Sequence, residues 1–554
     1  MKSHIKKEIH RRQIISMLIF ALIQLTSLIT PYLMGRIIDV YIPAGNTKSI
    51  IWGIVLFITI PMLTILLQTG YQYALIKYIR KKGNQVALQI MENLIYQEKR
   101  FFDQENSMEL LSYCSKEATG YFDFYLSDMS RFYVNILVTA VIFVLLIIID
   151  PVLGILQLLY IPLAYFPVKH IIKNVDKEIQ KILELNAQMN QVKGDIFQAV
   201  EFVKLARLEQ KKLQEVDVKN RQINEVWGKV AALDSLSGAW ANAFASVLFK
   251  GLTFGLGALF VVSAIGHLQI GQLISVITYG GLFYANINAI LQTQIDKKKK
   301  NSEYERLFSF LELTGEREQD AGKEDFALQK EIVFDHCSFS YKEGEPILKD
   351  ASLCFEVGKW TGIVGPSGQG KSTILDILLK LYPVANGCVR VDGKDLNKLS
   401  CFSIRAQVTK IAQDIFLFPG TIADNLVLMG ENITEEKMWQ ALRFACLDEY
   451  VKSLPQGIHT DVGEAGKLMS GGERQRLSIA MGILRGCKIL LLDEVTSNLD
   501  PAIEAKLVEH FHALREKGYT IISISHRMNF LKYAQKVYEL QDGIVTELEE
   551  LPSK

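Results

Sequence analysis

The first 295 residues alternate long uncharged apolar runs with segments rich in lysine and arginine. An uncharged run of about 20 residues is long enough to cross the hydrocarbon core of a bilayer as an α-helix. We predict six membrane spans, at residues 13–35, 50–70, 132–149, 151–168, 240–265 and 270–295. Asp150 and Pro151 alone separate the third span from the fourth, and we expect a tight hairpin there. Six charge-poor runs favour an all-α membrane domain over a soluble helical bundle.

The basic residues indicate how these spans are oriented in the membrane. The leader before the first span and the segments 77–131, 169–230 and 297–300 are rich in lysine or arginine. The alternate loops carry only Arg36 and Lys48. By the positive-inside rule, the N-terminus and everything after residue 296 are predicted to lie in the cytoplasm. We therefore expect a multi-pass protein of the cell membrane whose lipid partner is the bilayer.

The sequence after residue 310 changes character. We predict a transmembrane domain over residues 1–310, a charged linker over 311–330 and an α/β domain over 331–554. Runs rich in β-forming residues at 332–334, 361–364, 489–492 and 520–524 alternate with helical patterns, which predicts a parallel sheet covered on both faces. The seven cysteines include no C-x-x-C pair, a pattern typical of reduced cytosolic thiols. With 61 basic and 60 acidic residues, overall charge gives no reason to expect a nucleic-acid partner.

A phosphate-binding loop follows the apolar run 360–364 and precedes a helix-like run. Glycines permit positive φ and close backbone approach, so that N–H groups at a helix N-terminus can surround a polyphosphate. The predicted ATP-binding residues are Gly365, Pro366, Ser367, Gly368, Gln369, Gly370, Lys371, Ser372 and Thr373. Among them, Lys371 would reach the β and γ phosphates and Ser372 would bind Mg²⁺.

Two further motifs support nucleotide chemistry. Asp493 and Glu494 follow four apolar residues, at the end of a strand where open α/β sheets bind ligands. A carboxylate in the first position suits a magnesium-linked phosphate, and one in the second could orient or deprotonate water. The third motif forms a capping box at a helix start, comprising Ser470, Gly471, Gly472 and Glu473. Its glycine N–H groups would be free to bind the nucleotide of another subunit.

These motifs resemble those of the ATP-binding cassette (ABC) transporter family, exporter type, over nearly all of the 554 residues. The expected fold class is a six-helix transmembrane domain fused to an α/β P-loop NTPase cassette. Other elements of that family appear in order, namely Tyr341, Gln413, Glu464, Asp500 and His526. The resemblance implies that Tyr341 stacks on adenine, that Ser372, Gln413 and Asp493 bind Mg²⁺, and that Glu494 and His526 are catalytic. The resemblance also implies that Asp500, in the loop that follows the strand motif, is an ATP-binding residue.

The resemblance also implies ATP and Mg²⁺ as cofactors and a dimer in which two cassettes enclose two ATP molecules. The partner would be a second copy of the chain or a homologous half-transporter. The signature of the family usually begins with leucine and ends with glutamine, whereas this chain has Met469 and Glu473. Methionine keeps the apolar packing and glutamate keeps the cap, so we expect an active site.

The predicted function is ATP-driven export, or flipping, of a peptide, lipid or amphipathic small molecule across the cytoplasmic membrane. Uptake by an importer with an exporter-like fold, as in siderophore systems, is the alternative. For the transported substrate we single out Lys250, Asn242 and Asn286 as residues of a cargo cavity. Lys250 lies well inside a predicted span, and the sequence leaves open whether it faces a cavity or extends to the inner headgroups.

Overall fold

The computed structural model describes residues 2–105, 110, 117–240, 245–263, 268–342, 344–385, 388–413 and 416–549. They form two compact units. The first comprises Met1–Asn93 and Met108–Leu313, and the second comprises Leu94–Ser107 and Thr314–Lys554. The short segment Leu94–Ser107 thus belongs with the C-terminal unit, an assignment that nothing in the apolar pattern of the sequence indicates.

The described residues of the N-terminal unit are mostly helical, with short turns between helices. Its α-helices are Lys2–Ser27, Ile29–Arg36, Thr47–Ile95, Ala118–Asp123, Met129–Ile149, Pro151–Leu158, Tyr160–Gln198, Val200–Leu205, Glu209–Gly238, Ser246–Val262 and Ile270–Leu311. Short π-helical turns at Ile37–Tyr41 and Phe124–Asp128 continue two of them. Four helical stretches, Ile5–Tyr41, Thr47–Ile95, Ala118–Ile149 and Ile270–Gln294, are long and apolar enough to cross a membrane. Shorter apolar helices, Pro151–Pro167 and Ser246–Val262, lie where the other two spans are predicted.

A tight reversal separates Met129–Ile149 from the helix that follows it. Asp150 has extended backbone, and its carboxylate accepts a hydrogen bond from the backbone N–H of Leu153 at 2.9 Å. Pro151 occupies the first helical position, where its missing N–H costs nothing. This cap and proline explain the hairpin predicted at the same two residues.

The described residues of the C-terminal unit form ten strands in two sheets. The strands are β1 Glu331–Ser340, β2 Pro346–Glu356, β3 Trp360–Val364, β4 Val389–Val391, β5 Lys394–Asp395, β6 Val408–Ile411, β7 Ile489–Asp493, β8 Thr520–Ile524, β9 Lys536–Gln541 and β10 Ile544–Leu548. One sheet has the order β10-β9-β3-β8-β7-β6 and is parallel except for β10. The other has the order β2-β1-β4-β5 and is antiparallel. Three of the four predicted strand runs therefore lie in the parallel sheet, and 332–334 lies in the antiparallel one.

Every residue of β3, β7 and β8 is buried. Since alternate residues of a strand point to opposite sides of the sheet, both faces of the parallel sheet are covered. Trp360 of β3 and Leu492 of β7 contribute to one apolar cluster, whereas Ile363 and Leu491 contribute to the other. The α-helices of this unit are Lys99–Gln104, Glu316–Asp320, Lys371–Leu378, Cys401–Gln407, Ile422–Val427, Glu435–Phe444, Asp448–Ser453, Gly471–Leu484 and Pro501–Glu516. The sheet is thus a rigid platform whose strand ends can position a site.

Two features of the C-terminal unit differ from expectation or add to it. Cys337 of β1 and Cys388, just before β4, form a disulfide with a Cα–Cα distance of 5.0 Å, so the prediction of reduced thiols is wrong for this pair. The two cysteines meet because β1 and β4 are neighbouring strands, a pairing that sequence spacing does not reveal. The segment predicted as a linker contains the helix Glu316–Asp320, whose first residue is paired with Arg405 at 2.6 Å.

Candidate functional site

The phosphate loop lies between buried β3 and the helix Lys371–Leu378. Gly365, Gly368 and Gly370 have φ values of 140°, 79° and 94°, in the region that disfavours side chains. A Cβ at Gly365 would lie 2.1 Å from the carbonyl oxygen of Leu540. The loop conformation therefore depends on glycine, as the motif predicts.

Lys371 is folded onto its own loop. Its ammonium donates hydrogen bonds to the carbonyl oxygens of Gly365 and Pro366, both at 2.8 Å. Burial lowers the pKa of this amine, and the nearby carboxylates of Glu494 and Asp493 oppose the shift. The ammonium is therefore held by two carbonyls at the start of the phosphate loop.

Side-chain oxygens that could bind Mg²⁺ lie close together at the C-terminal end of β7. The hydroxyl of Ser372 donates to the carboxylate of Asp493 at 2.9 Å, and Asp493 is only 4% exposed. Hydroxyl and carboxylate oxygens are the hard ligands that Mg²⁺ prefers, so this pair fits the metal that the family resemblance implies. Gln413, the third predicted ligand, is exposed and bonds through its amide nitrogen to Glu494, which leaves its amide oxygen to serve as a ligand.

Glu494 is held by the predicted catalytic His526 and by the predicted magnesium ligand Gln413. Its carboxylate accepts a hydrogen bond from the Gln413 amide at 3.0 Å and lies 2.8 Å from Nε2 of His526. Its backbone φ is 50°, an uncommon value for a non-glycine residue of the kind found at functional sites. Ser367 of the phosphate loop is also within 3.5 Å of His526. Gln413 and His526, which are far apart in sequence, therefore converge on one carboxylate beside the phosphate loop.

Tyr341 lies beside the last residue of the phosphate loop. Its hydroxyl is 2.9 Å from the hydroxyl of Thr373, and its ring packs edge-on against Phe339 and Tyr382. It remains 37% exposed, so one part of the ring is accessible. This position, next to the end of the phosphate loop, suits a ring that contacts the base of a nucleotide.

The capping box predicted at the helix Gly471–Leu484 is present. Glu473 accepts a hydrogen bond from the N–H of Ser470 at 2.7 Å, and Ser470 accepts one from the N–H of Glu473 at 3.3 Å. Among the described residues, no hydrogen bond or ion pair connects this helix start with the phosphate loop. The cap is therefore formed within the motif itself, as its spacing predicts.

Asp500 has a local role in the structure. Its carboxylate accepts hydrogen bonds from the N–H groups of Ala502 and Ile503 at 3.1 and 3.0 Å and caps the helix Pro501–Glu516. Gln475, which the motifs did not single out, fixes the neighbouring loop. Its amide nitrogen donates to the carbonyl of Glu494 at 2.9 Å, and its amide oxygen accepts from the N–H of Asn498 at 3.1 Å.

Of the three residues predicted to form a cargo cavity, the two in the described part of the chain lie on different helices. Lys250 is exposed on the helix Ser246–Val262, and Asn286 is half-buried on Ile270–Leu311. Asn242 lies outside the described residues. Gln157, another polar residue of the apolar half, is fully buried and donates to the hydroxyl of Thr253 at 3.0 Å. It therefore holds helices together and does not line an open cavity within this chain.

Comparison with known proteins agrees with these features. Residues 13–287 match the family model described as ABC transporter transmembrane region, and residues 348–497 match the model described as ABC transporter. The ATP-dependent lipid A-core flippase of Legionella pneumophila (strain Philadelphia 1) is 28% identical over 472 residues, 83% of this chain and 77% of the flippase.

A second relative is the Beta-(1-->2)glucan export ATP-binding/permease protein NdvA of Agrobacterium vitis. It is 30% identical over 308 residues, 55% of this chain and 52% of that protein. The structure of a bacterial Atm1-family ABC exporter with ATP bound matches 97% of this chain and 94% of its own, with a TM-score of 0.85 and 22% identity, which establishes the fold. The chain belongs to the ABC transporter family and joins the transmembrane region and the ATP-hydrolysing cassette of a transport ATPase in one polypeptide.

Proposed function

We propose that the chain forms a homodimer in the cytoplasmic membrane and uses ATP hydrolysis to export or flip an amphipathic cargo, such as a lipid, a peptide or a small molecule. The convergence of Gln413 and His526 on Glu494, at 3.0 and 2.8 Å, carries the proposal. A complete hydrolytic set of this kind argues for a catalytically competent chain, which needs no different partner to supply an active cassette.

Each residue of the site has a role in this proposal. Lys371 and the loop N–H groups bind the β and γ phosphates, and Tyr341 contacts the base. Ser372, Asp493 and Gln413 hold Mg²⁺, which neutralises phosphate charge when bound. Glu494 accepts a proton from the attacking water, and His526 and Gln413 hold its carboxylate in place.

The second copy has a role at each site in this proposal. The glycine N–H groups at the start of Gly471–Leu484 are at the positive end of a helix, where the dipole favours an anion. In a homodimer, the signature helix start of each copy would contact the γ-phosphate held by the other copy. ATP binding would then close the two cassettes, and hydrolysis would allow them to separate.

The direction of transport agrees with the names of the relatives, which are a flippase and an export protein. The test uses inside-out membrane vesicles and a panel of a fluorescent lipid, a peptide and an amphipathic dye. Export predicts that ATP drives accumulation of at least one probe inside the vesicles, and that Lys371→Ala vesicles show none. ATP-dependent loss of a preloaded probe from the vesicles would instead indicate uptake.

A further inference from the structure

A chain of four alternating charges leads away from the proposed magnesium site. Lys410 lies on β6, and its ammonium is 2.7 Å from a carboxylate oxygen of Asp376 and 3.3 Å from one of Asp493. Asp376 is also 3.2 Å from the ammonium of Lys99, which begins the helix Lys99–Gln104. The strand motif and the phosphate loop explain Asp493, but neither explains the other three residues.

The inner three charges are largely buried. The side chains of Asp376, Lys410 and Asp493 are 8%, 18% and 5% exposed. Lys410 occupies a strand of otherwise apolar or small residues, on the sheet face that packs against the helix Lys371–Leu378. An ammonium in such a place is costly to desolvate, and its interaction with the two carboxylates offsets part of that cost.

Asp493 therefore has two partners before any metal is considered. One carboxylate oxygen accepts from Ser372 at 2.9 Å, and the other faces Lys410 at 3.3 Å. A divalent cation placed at Ser372 and Asp493 would share that carboxylate with a buried ammonium. Two cations near one anion repel each other, which weakens binding of the incoming one.

We propose that Lys410 is a positioning residue that competes with the divalent cation for Asp493 and so sets how strongly nucleotide binding depends on Mg²⁺. Asp376 limits this competition, because it holds the ammonium of Lys410 at the shorter distance of 2.7 Å. Lys99 acts one step further out, since it shares Asp376 with Lys410. The inference rests on the proposed role of Asp493 as a magnesium ligand.

Helix Lys99–Gln104 is well placed to influence this chain of charges. Besides the ion pair of Lys99, Asp103 accepts a hydrogen bond from the hydroxyl of Tyr382 at 2.6 Å. Both contacts hold the segment against the cassette within one compact unit. A change in the position of this helix would alter the charge around Asp376 and, through Lys410, the affinity for the cation.

The test measures binding of a fluorescent, non-hydrolysable ATP analogue to the full-length protein in lipid nanodiscs. The readout is the ratio of the Kd in EDTA to the Kd in saturating Mg²⁺. Lys410→Met removes the competing charge and should raise the ratio about tenfold. Asp376→Asn releases Lys410 to Asp493 and should lower the ratio about threefold.

Opposite shifts of the Kd ratio distinguish competition from a purely structural role. A simple loss of packing or of charge balance would change the ratio in the same direction in both variants. Lys452→Met, which removes an exposed lysine 3.1 Å from Asp448 elsewhere in the cassette, is the matched control and should leave the ratio unchanged. Lys99→Met should raise the ratio about twofold in the wild-type background but not with Asp376→Asn.

Three outcomes would contradict the proposal or its basis. A ratio that is unchanged in Lys410→Met, or raised in Asp376→Asn, overturns the competition by Lys410. An effect of Lys99→Met that persists with Asp376→Asn overturns the connection to the helix. A wild-type protein that binds the analogue equally well with and without Mg²⁺ overturns the metal assignment itself, which is a separate failure.

Discussion

Replacing Glu494 with glutamine separates hydrolysis from nucleotide binding. The side chain keeps its size, and both of its contacts can survive. Its amide oxygen can accept from Gln413, now at 3.0 Å, and its amide nitrogen can donate to Nε2 of His526, now at 2.8 Å, in the tautomer whose Nε2 carries no hydrogen. We therefore expect the free energy of unfolding to change by less than ~1 kcal/mol.

The loss should fall on the chemical step. An amide cannot accept the proton of the attacking water, and general bases typically contribute ~10²- to 10⁴-fold to the rate. This corresponds to an increase of ~3 to 5 kcal/mol in the activation free energy. Lys371, Ser372 and Asp493 are unchanged, so Mg-ATP should bind with an affinity within a few fold of wild type.

The assay is phosphate release by purified protein in nanodiscs, together with retention of radiolabelled ATP after rapid gel filtration. Glu547→Gln makes the same chemical change at an exposed residue of β10 and serves as the control. Hydrolysis by Glu494→Gln within a few fold of the control, or loss of ATP at the control rate, would show that Glu494 is not the base.

Five other substitutions, one of them a steric control, test separate parts of the proposal. Lys371→Ala should abolish phosphate release without lowering the melting temperature by more than a few degrees, and turnover in the folded variant would refute the phosphate site. Gly365→Ala should destabilise the cassette by at least ~3 kcal/mol, because its Cβ would lie 2.1 Å from a backbone oxygen. Gly322 has a φ of 79°, but an added Cβ would have no atom within 4 Å, so Gly322→Ala should destabilise the protein by only ~1 kcal/mol. Thermal melts compare the two alanine variants, and equal losses of stability would contradict this steric argument. Glu473→Gln keeps the capping box and removes a negative charge, so it should tighten ATP binding by about twofold to fivefold, whereas weaker binding would count against a phosphate contact there. Lys250→Met should weaken the stimulation of phosphate release by an acidic cargo, whereas unchanged stimulation would place the ammonium at the headgroups.

The sequence predicted the elements whose physical signals are local. Four apolar residues before Asp493 mark a buried strand, and β7 has these bounds within one residue. The glycines of the phosphate loop require positive φ, and the S-x-x-E pattern at Ser470 forms the expected reciprocal cap. The fold class, the family and the ATPase coupled to transport are confirmed. In the strand, the phosphate loop and the cap, a few adjacent residues determine the local geometry.

Features that depend on strand order could not be predicted in this way. Cys337 and Cys388 are 51 residues apart, and only the pairing of β1 with β4 brings them together. Lys410 could be noticed in the sequence, because it is a charged residue in a short run of otherwise apolar or small residues. Its partners Asp376 and Asp493 come from two other elements, so the sequence does not reveal the contacts. The membrane spans and the roles of individual site residues stay predictions.

The central claim is that two copies of this chain build each ATP site together. The most direct measurement counts the ATP retained per chain by Glu494→Gln protein, with particle mass determined on the same sample. The account predicts one ATP per chain in a two-chain particle, and no retained ATP when Ser470→Arg places a bulky side chain at the helix start in the same protein. ATP retained by single chains, or retained equally well with Ser470→Arg, would contradict it.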